Sequence, residues 1–200
     1  MINTANLSGD ADTSRPASLL GDTMNSAYSP VAELNLLKEL QDRLGFENYA
    51  AGFGLTDFGD ISGLVAGWSK DPKFTDRLIP FAQANGSGSF YALWRLDEQA
   101  DPATLPVVVF GDEGGEHVVA RHVRELFQLL GLDSEINVDV EEAYFYRSED
   151  EPYSDGHDEY VAWLDQQFGL AVAEDPAAVL AAAQAEMAQR FNDWVRPFLL

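Results

Sequence analysis

Leu78-Ile79-Pro80-Phe81-Ala82-Gln83-Ala84-Asn85-Gly86-Ser87-Gly88-Ser89-Phe90-Tyr91-Ala92-Leu93-Trp94 opens the stretch that decides the fold. Leu105-Pro106-Val107-Val108-Val109-Phe110-Gly111-Asp112-Glu113-Gly114-Gly115-Glu116 continues it, and an apolar-periodic run closes it at Leu130. Ile79 to Ala82 reads as a short strand. Asn85-Gly86-Ser87-Gly88 is turn chemistry, because Asn and Gly tolerate positive φ. Ser89 to Leu96 alternates and is rich in aromatics, the pattern of a strand with Phe90 and Trp94 on one face and Tyr91 on the other. Asp101-Pro102 marks a loop. The β-branched run Val107-Val108-Val109-Phe110 suits a strand buried on both faces. Gly111 to Gly115 then turns the chain into a helix expected over roughly Glu116 to Leu130, with Val119, Val123, Leu126 and Leu130 on one face and Gly131 as its stop.

Working outward, Val31, Leu34, Leu37, Leu40 and Leu44 recur at steps of three and four, an amphipathic helix stopped by Gly45. The glycines between Phe46 and Trp68 break any long helix, so short elements and turns are expected there. Downstream, Ile136, Val138 and Val140 alternate with polar residues as in a strand, which Tyr144, Phe145 and Tyr146 extend. Ser148 to Asp158 is an acidic loop. Two helices close the chain: one with the stripe Tyr160, Trp163, Leu164 and Phe168, ended by Gly169; the other with Asp175 as N-cap, Pro176 as first residue and the stripe Leu180, Met187, Phe191 and Trp194. The order predicts an α+β fold, mainly an antiparallel sheet flanked by helices with a helical C-terminal extension. Met1 to Pro30, polar and without apolar periodicity, reads as a mobile arm ahead of a single domain over 31–200.

A chain of 200 residues with 46% hydrophobic content fits one core. No long apolar run argues for a membrane span, and Met1 to Tyr28 lacks the basic start and apolar stretch of a secretory signal, so cytoplasmic residence is expected. With no cysteine there is no disulfide, thiol chemistry or cysteine-bound zinc. Twelve basic against 34 acidic residues give a net charge of −22. That field repels phosphate backbones, which speaks against direct nucleic-acid binding, and attracts a basic protein. It serves solubility equally well.

Candidate chemistry is sparse. The Gly111–Glu116 loop follows a strand, yet it lacks the G-x-G-x-x-G spacing and carries Asp112, Glu113 and Glu116 where a phosphate would sit; these acids are better read as complementing a helix N-terminus. On the expected helix, His117 and His122 stand roughly 140° apart and cannot share a metal. Asp155-Gly156-His157-Asp158-Glu159 has metal-like composition without the ligand order of a calcium loop, and N-capping by Asp155 or Asp158 explains it. There is no G-x-S-x-G elbow. Neither a cofactor nor a metal is expected. The acidic segment stands out: between Asp133 and Tyr160 eleven carboxylates accompany a single base, Arg147.

Ile79-Pro80-Phe81-Ala82, the Asn85–Gly88 turn and Phe90-Tyr91-Ala92-Leu93-Trp94 resemble the signature of the SUKH superfamily, and Pro106 to Phe110 with the following Gly/Glu loop and apolar-periodic run resembles the next part of that pattern. The likeness covers about residues 78 to 130. It implies an α+β domain that works without catalysis, by binding protein: bacterial members are immunity proteins that neutralise nuclease or other toxin domains, and eukaryotic relatives regulate cell-wall assembly and signalling. No catalytic residue is carried over. The arm before Pro30 and the Asp133–Leu200 region depart from the pattern. The expectation is an immunity protein whose acids meet a basic toxin, with Asp112, Glu113 and Glu116 at the helix start and Glu149, Asp150, Glu151 and Asp155 in the acidic loop as candidate contacts. A regulatory scaffold of the same fold and a small carboxylate- or metal-dependent enzyme near His157 are the rivals.

Overall fold

A computed structural model describes residues 27–96 and 100–199. In chain order the elements are α1 (Ala32–Leu44), β1 (Gly54–Leu55), α2 (Ser62–Gly67), α3 (Pro72–Thr75), β2 (Leu78–Gln83), β3 (Phe90–Trp94), β4 (Val107–Phe110), β5 (Glu116–Ala120), α4 (Val123–Leu130), β6 (Ile136–Val138), β7 (Ala143–Phe145), α5 (His157–Phe168) and α6 (Pro176–Val195). Strands β1 to β5 form a five-stranded sheet in sequence order, every neighbour antiparallel. Strands β6 and β7 make a separate two-stranded hairpin. The fold is α+β, with helices on both faces of the larger sheet.

Side-chain alternation builds those layers. Ile79, Phe81, Tyr91, Leu93, Val107, Val109 and Val119 point to one face and pack under α1, α4 and α5. Leu78, Ala92, Trp94, Val108, Phe110 and Val118 point to the other and meet α2, α3 and α6. Phe90 joins Trp94 on this second side, as the alternation predicted. Within β2 the register shifts between Pro80 and Ala82. A bulge there accommodates a proline that has no N–H for the ladder, and the Pro80 carbonyl instead accepts from Gly59 N at 2.7 Å. The short edge strand β1 is stitched to α1 by Gln41, whose amide accepts from Leu55 N (2.7 Å) and Tyr49 Oη (2.9 Å) and donates to Leu55 O (3.1 Å).

The helix expected over Glu116–Leu130 is a strand followed by a shorter helix. Glu116 to Ala120 pairs with β4, and α4 starts only at Val123. Val119 keeps the step of four to Val123 by coincidence; Val118 and Val119 are β-branched and take the free edge of β4. Gly114 and Gly115, at φ 100° and 89°, reverse the chain into a hairpin. Asp112 and Glu113 therefore sit in a β-turn and Glu116 at the start of β5, none of them at a helix N-terminus, and the dipole argument for them falls. His117 lies in β5 and His122 is the N-cap of α4, so they do not share a helix.

The C-terminal helices follow their stripes. Asp175 Oδ1 accepts from Ala178 N at 2.9 Å, capping α6, and Leu180, Ala183, Phe191 and Val195 are its buried face. Helix α5 buries Tyr160, Trp163 and Leu164. Its N-cap is Gly156, not Asp155 or Asp158. A Cβ at Gly156 would lie 2.8 Å from the Asn48 carbonyl, which accepts from Gly156 N. Of the expected arm Met1–Pro30, residues 1–26 lie outside the described residues. Tyr28 and Ser29 are docked: Tyr28 Oη donates to Thr56 O (2.7 Å) and Phe81 O (2.9 Å), and Ser29 exchanges hydrogen bonds with Asn35 near the start of α1. No helix among the described residues is long and apolar enough to cross a membrane.

Candidate protein-interaction surface

The acidic segment is organised by one buried carboxylate. Asp133 is 1% exposed and holds φ 52°, a conformation Asp tolerates better than most residues. Its Oδ1 accepts from Ala51 N (2.7 Å) and Ser154 Oγ (2.7 Å), and its Oδ2 accepts from Ser154 N (2.6 Å). Arg147, the segment's only Lys or Arg, approaches Asp133 Oδ2 at 3.7 Å and donates to the Asp133 and Glu151 carbonyls. Its guanidinium lies 3.9 Å from the centre of the Tyr153 ring, and Tyr153 stacks on His157 at 4.2 Å. His157 is buried, with Nε2 hydrogen-bonded to Gly131 O at 2.8 Å. Counting charges along the sequence marks the segment as a solvated acidic loop. The structure shows it wrapped round Arg147 and pinned by Asp133.

Polar and aromatic side chains of the segment are exposed. Glu149, Asp150, Glu151 and Asp155 are all exposed. So are Val140 at 76%, Tyr144 at 44%, Tyr146 at 70% and Tyr153 at 58%. The two tyrosines at 144 and 146 share one side of the β7 line, while Phe145 between them packs toward the core. Exposed tyrosines are what the sequence reading missed, having taken Tyr144 to Tyr146 only as a strand; the signal available was the Tyr-x-Tyr alternation beside acids. Such side chains offer large contact area with few torsions to freeze.

The other candidate acids occupy the end of the larger sheet. Asp112 Oδ1 accepts from Ser87 Oγ and Ser89 Oγ, both at 2.8 Å, tying the β4–β5 turn to the β2–β3 turn. Those two hydroxyls hold its carboxyl below the usual carboxylate range. Glu113 is exposed, and with Asp112, Glu135 and Asn137 it lines a polar cavity of about 280 Å³. Glu116 is half-buried, and burial pushes its carboxyl up. The turn also abuts the β6–β7 turn. A Cβ at Gly115 would come within 1.9 Å of the Asp139 carbonyl, which His117 Nε2 meets at 2.7 Å. Only glycine permits that approach. The β4–β5 hairpin that carries Asp112, Glu113 and Glu116 thus touches the β6–β7 hairpin, while Glu149, Asp150, Glu151 and Asp155 lie in the loop between β7 and α5; a groove of about 370 Å³ between β7 and α6 is lined in part by Glu142, Tyr144 and Gln184.

Comparison with protein-family models, curated proteins and solved structures returned no match. Among the described residues no group of three or more His, Asp or Glu side chains is arranged to hold a metal ion. His157, the residue on which a metal-dependent reading rested, has one ring nitrogen bonded to a main-chain carbonyl and its face covered by Tyr153. The arrangement as a whole presents carboxylates and aromatic side chains on a segment tied down by Asp133 and Arg147.

Proposed function

We propose that this chain is a non-enzymatic protein-binding domain of SUKH type, an immunity protein that neutralises a basic toxin in the cytoplasm by stoichiometric binding. The observation that carries the reading is the interleaving of exposed carboxylates with Tyr144, Tyr146 and Tyr153 on a segment braced by Asp133 and Arg147. The carboxylates steer a basic partner in and set the salt dependence of encounter. The tyrosines supply the anchors, because aromatic side chains carry a disproportionate share of interface energy. A pre-braced surface loses little conformational entropy on binding. The antiparallel sheet with flanking helices is the architecture that the resemblance over residues 78 to 130 implies, and it supports the family reading to that extent.

The test is co-expression with the product of the neighbouring open reading frame, scored by host growth and by co-purification. Restored growth with a complex that loosens in salt is the expected result. A toxic neighbour that this chain neither rescues nor binds overturns the immunity role.

A further inference from the structure

We propose that the cleft between α2 and the β4–β5 turn receives a single arginine side chain of the basic partner. The proposal rests on the protein-binding reading above and names one contact within it. The cleft has a volume of about 420 Å³, within the range of small-ligand clefts, and its floor is aromatic. Trp68 and Phe90, both half-buried, meet edge to face at 5.5 Å, and Phe90 stacks on Phe110 at 5.3 Å. Asp112 stands at the rim. Both serine hydroxyls bond its Oδ1, and Oδ2 has no hydrogen bond among the described residues. A planar guanidinium matches this pairing of an aromatic face with a carboxylate oxygen, since it stacks and hydrogen-bonds at once; an ammonium does only the second well.

The glycines of α2 are the independent observation. Gly63 and Gly67 lie within a helix of six residues and line the cleft. Glycine weakens a helix relative to alanine, and neither position has the positive φ that would call for it. Space does not demand it either. A Cβ at Gly67 would meet nothing within 4 Å, and one at Gly63 would touch Phe90 at an ordinary 3.6 Å. The fold accepts alanine at both positions; what a side chain there would do is crowd the opening above the aromatic floor. Bare backbone at the mouth lets a partner's chain approach closely enough for one long side chain to reach Trp68.

The experiment titrates the full chain with N-acetyl-arginine amide and, separately, with its neutral near-isostere N-acetyl-citrulline amide, following the Trp68 indole N–H and the Gly67 and Gly88 amides by NMR. Saturable shifts at these positions are expected with the arginine amide, and affinity at least roughly tenfold weaker with the citrulline amide. G67A should keep or raise Tm, and G67L should fill the cleft and lose the response. If G67L does not fold, D112N takes its place, with roughly tenfold weaker binding expected. Equal response to both amides, shifts confined to the acidic segment, or a folded G67L that responds like the parent chain would each overturn the assignment. Host rescue by a chain whose cleft ignores the probe overturns the cleft alone, and a cleft that takes the probe in a chain that binds no toxic neighbour overturns the immunity reading alone.

Discussion

The five-stranded sheet and the segment from Asp133 to Tyr160 are held by opposite means. The sheet is sandwiched by apolar side chains on both faces, most of them fully buried, and its order follows the chain. The acidic segment buries few apolar groups of its own and hangs on a carboxylate, a guanidinium and two stacked rings. The first kind of region resists change through packing, is indifferent to salt, and fails all at once. The second is directional, and each of its bonds has one irreplaceable partner. An exposed surface with a fixed shape is made here from polar bonds because a solvated loop has too little apolar area to order itself.

The largest effect is expected from F110A, which empties a fully buried site between Phe74, Phe90 and Trp68. Urea unfolding should report a loss of about 3–5 kcal/mol, with fluorescence and far-UV signals changing together. D133A comes next, at roughly 2–4 kcal/mol, because it leaves the Ala51 and Ser154 amides without their acceptor and Arg147 without its facing carboxylate. Its hydrogen exchange is the sharper measurement: amides of residues 147–156 should open well before those of β3 and β4. Simultaneous opening would erase the distinction between the two regions. R147K keeps the charge but loses the flat stack on Tyr153 and the forked donation to two carbonyls, and about 1 kcal/mol should go with it. The double variant Y144S/Y146S should change stability by less than about 0.5 kcal/mol per site while abolishing co-purification with the partner. Retained binding would remove β7 from the interface.

The smallest effect concerns pH. Burial raises the Glu116 carboxyl above its unfolded value, so the folded state holds its proton more tightly. The contribution from this group is fully present below the unfolded carboxylate pKa and is lost as pH rises through the folded one. E116Q should therefore raise Tm at pH 7, by on the order of 1 °C, and leave it unchanged near pH 3. Glu125 runs the other way. Its burial opposes ionisation, but hydrogen bonds from Arg121 and that residue's charge more than reverse this and hold the carboxyl low. Its stabilisation is present above the unfolded pKa and disappears as pH falls through the folded one.

The strands at Val107 and Phe90 and the N-cap of α6 were legible because local chemistry and global packing agree there. The β5 strand was not, since Val119, Val123, Leu126 and Leu130 satisfy a helical step across what is a strand, a turn and a helix; only the paired glycines at 114 and 115 announce a hairpin. The candidate acids could be read from composition, and all but the half-buried Glu116 are exposed. What composition could not contain was the hub. Asp133 resembles ten other acids in its segment until the chain folds and delivers the Ala51 amide to it, and Arg147 counts as one base against eleven acids until its carbonyl partners are in place.

The grip of Asp133 on Ala51 crosses 82 positions of sequence, and Gly156 N reaches back as far as the Asn48 carbonyl. The meander between these points can assemble hairpin by hairpin as each strand is synthesised. The outward face of the acidic segment has no such option: it exists only when early and late parts of the polypeptide have met. The shape of that face therefore depends on contacts that no contiguous stretch of the segment supplies, whereas its charge is present from synthesis onward.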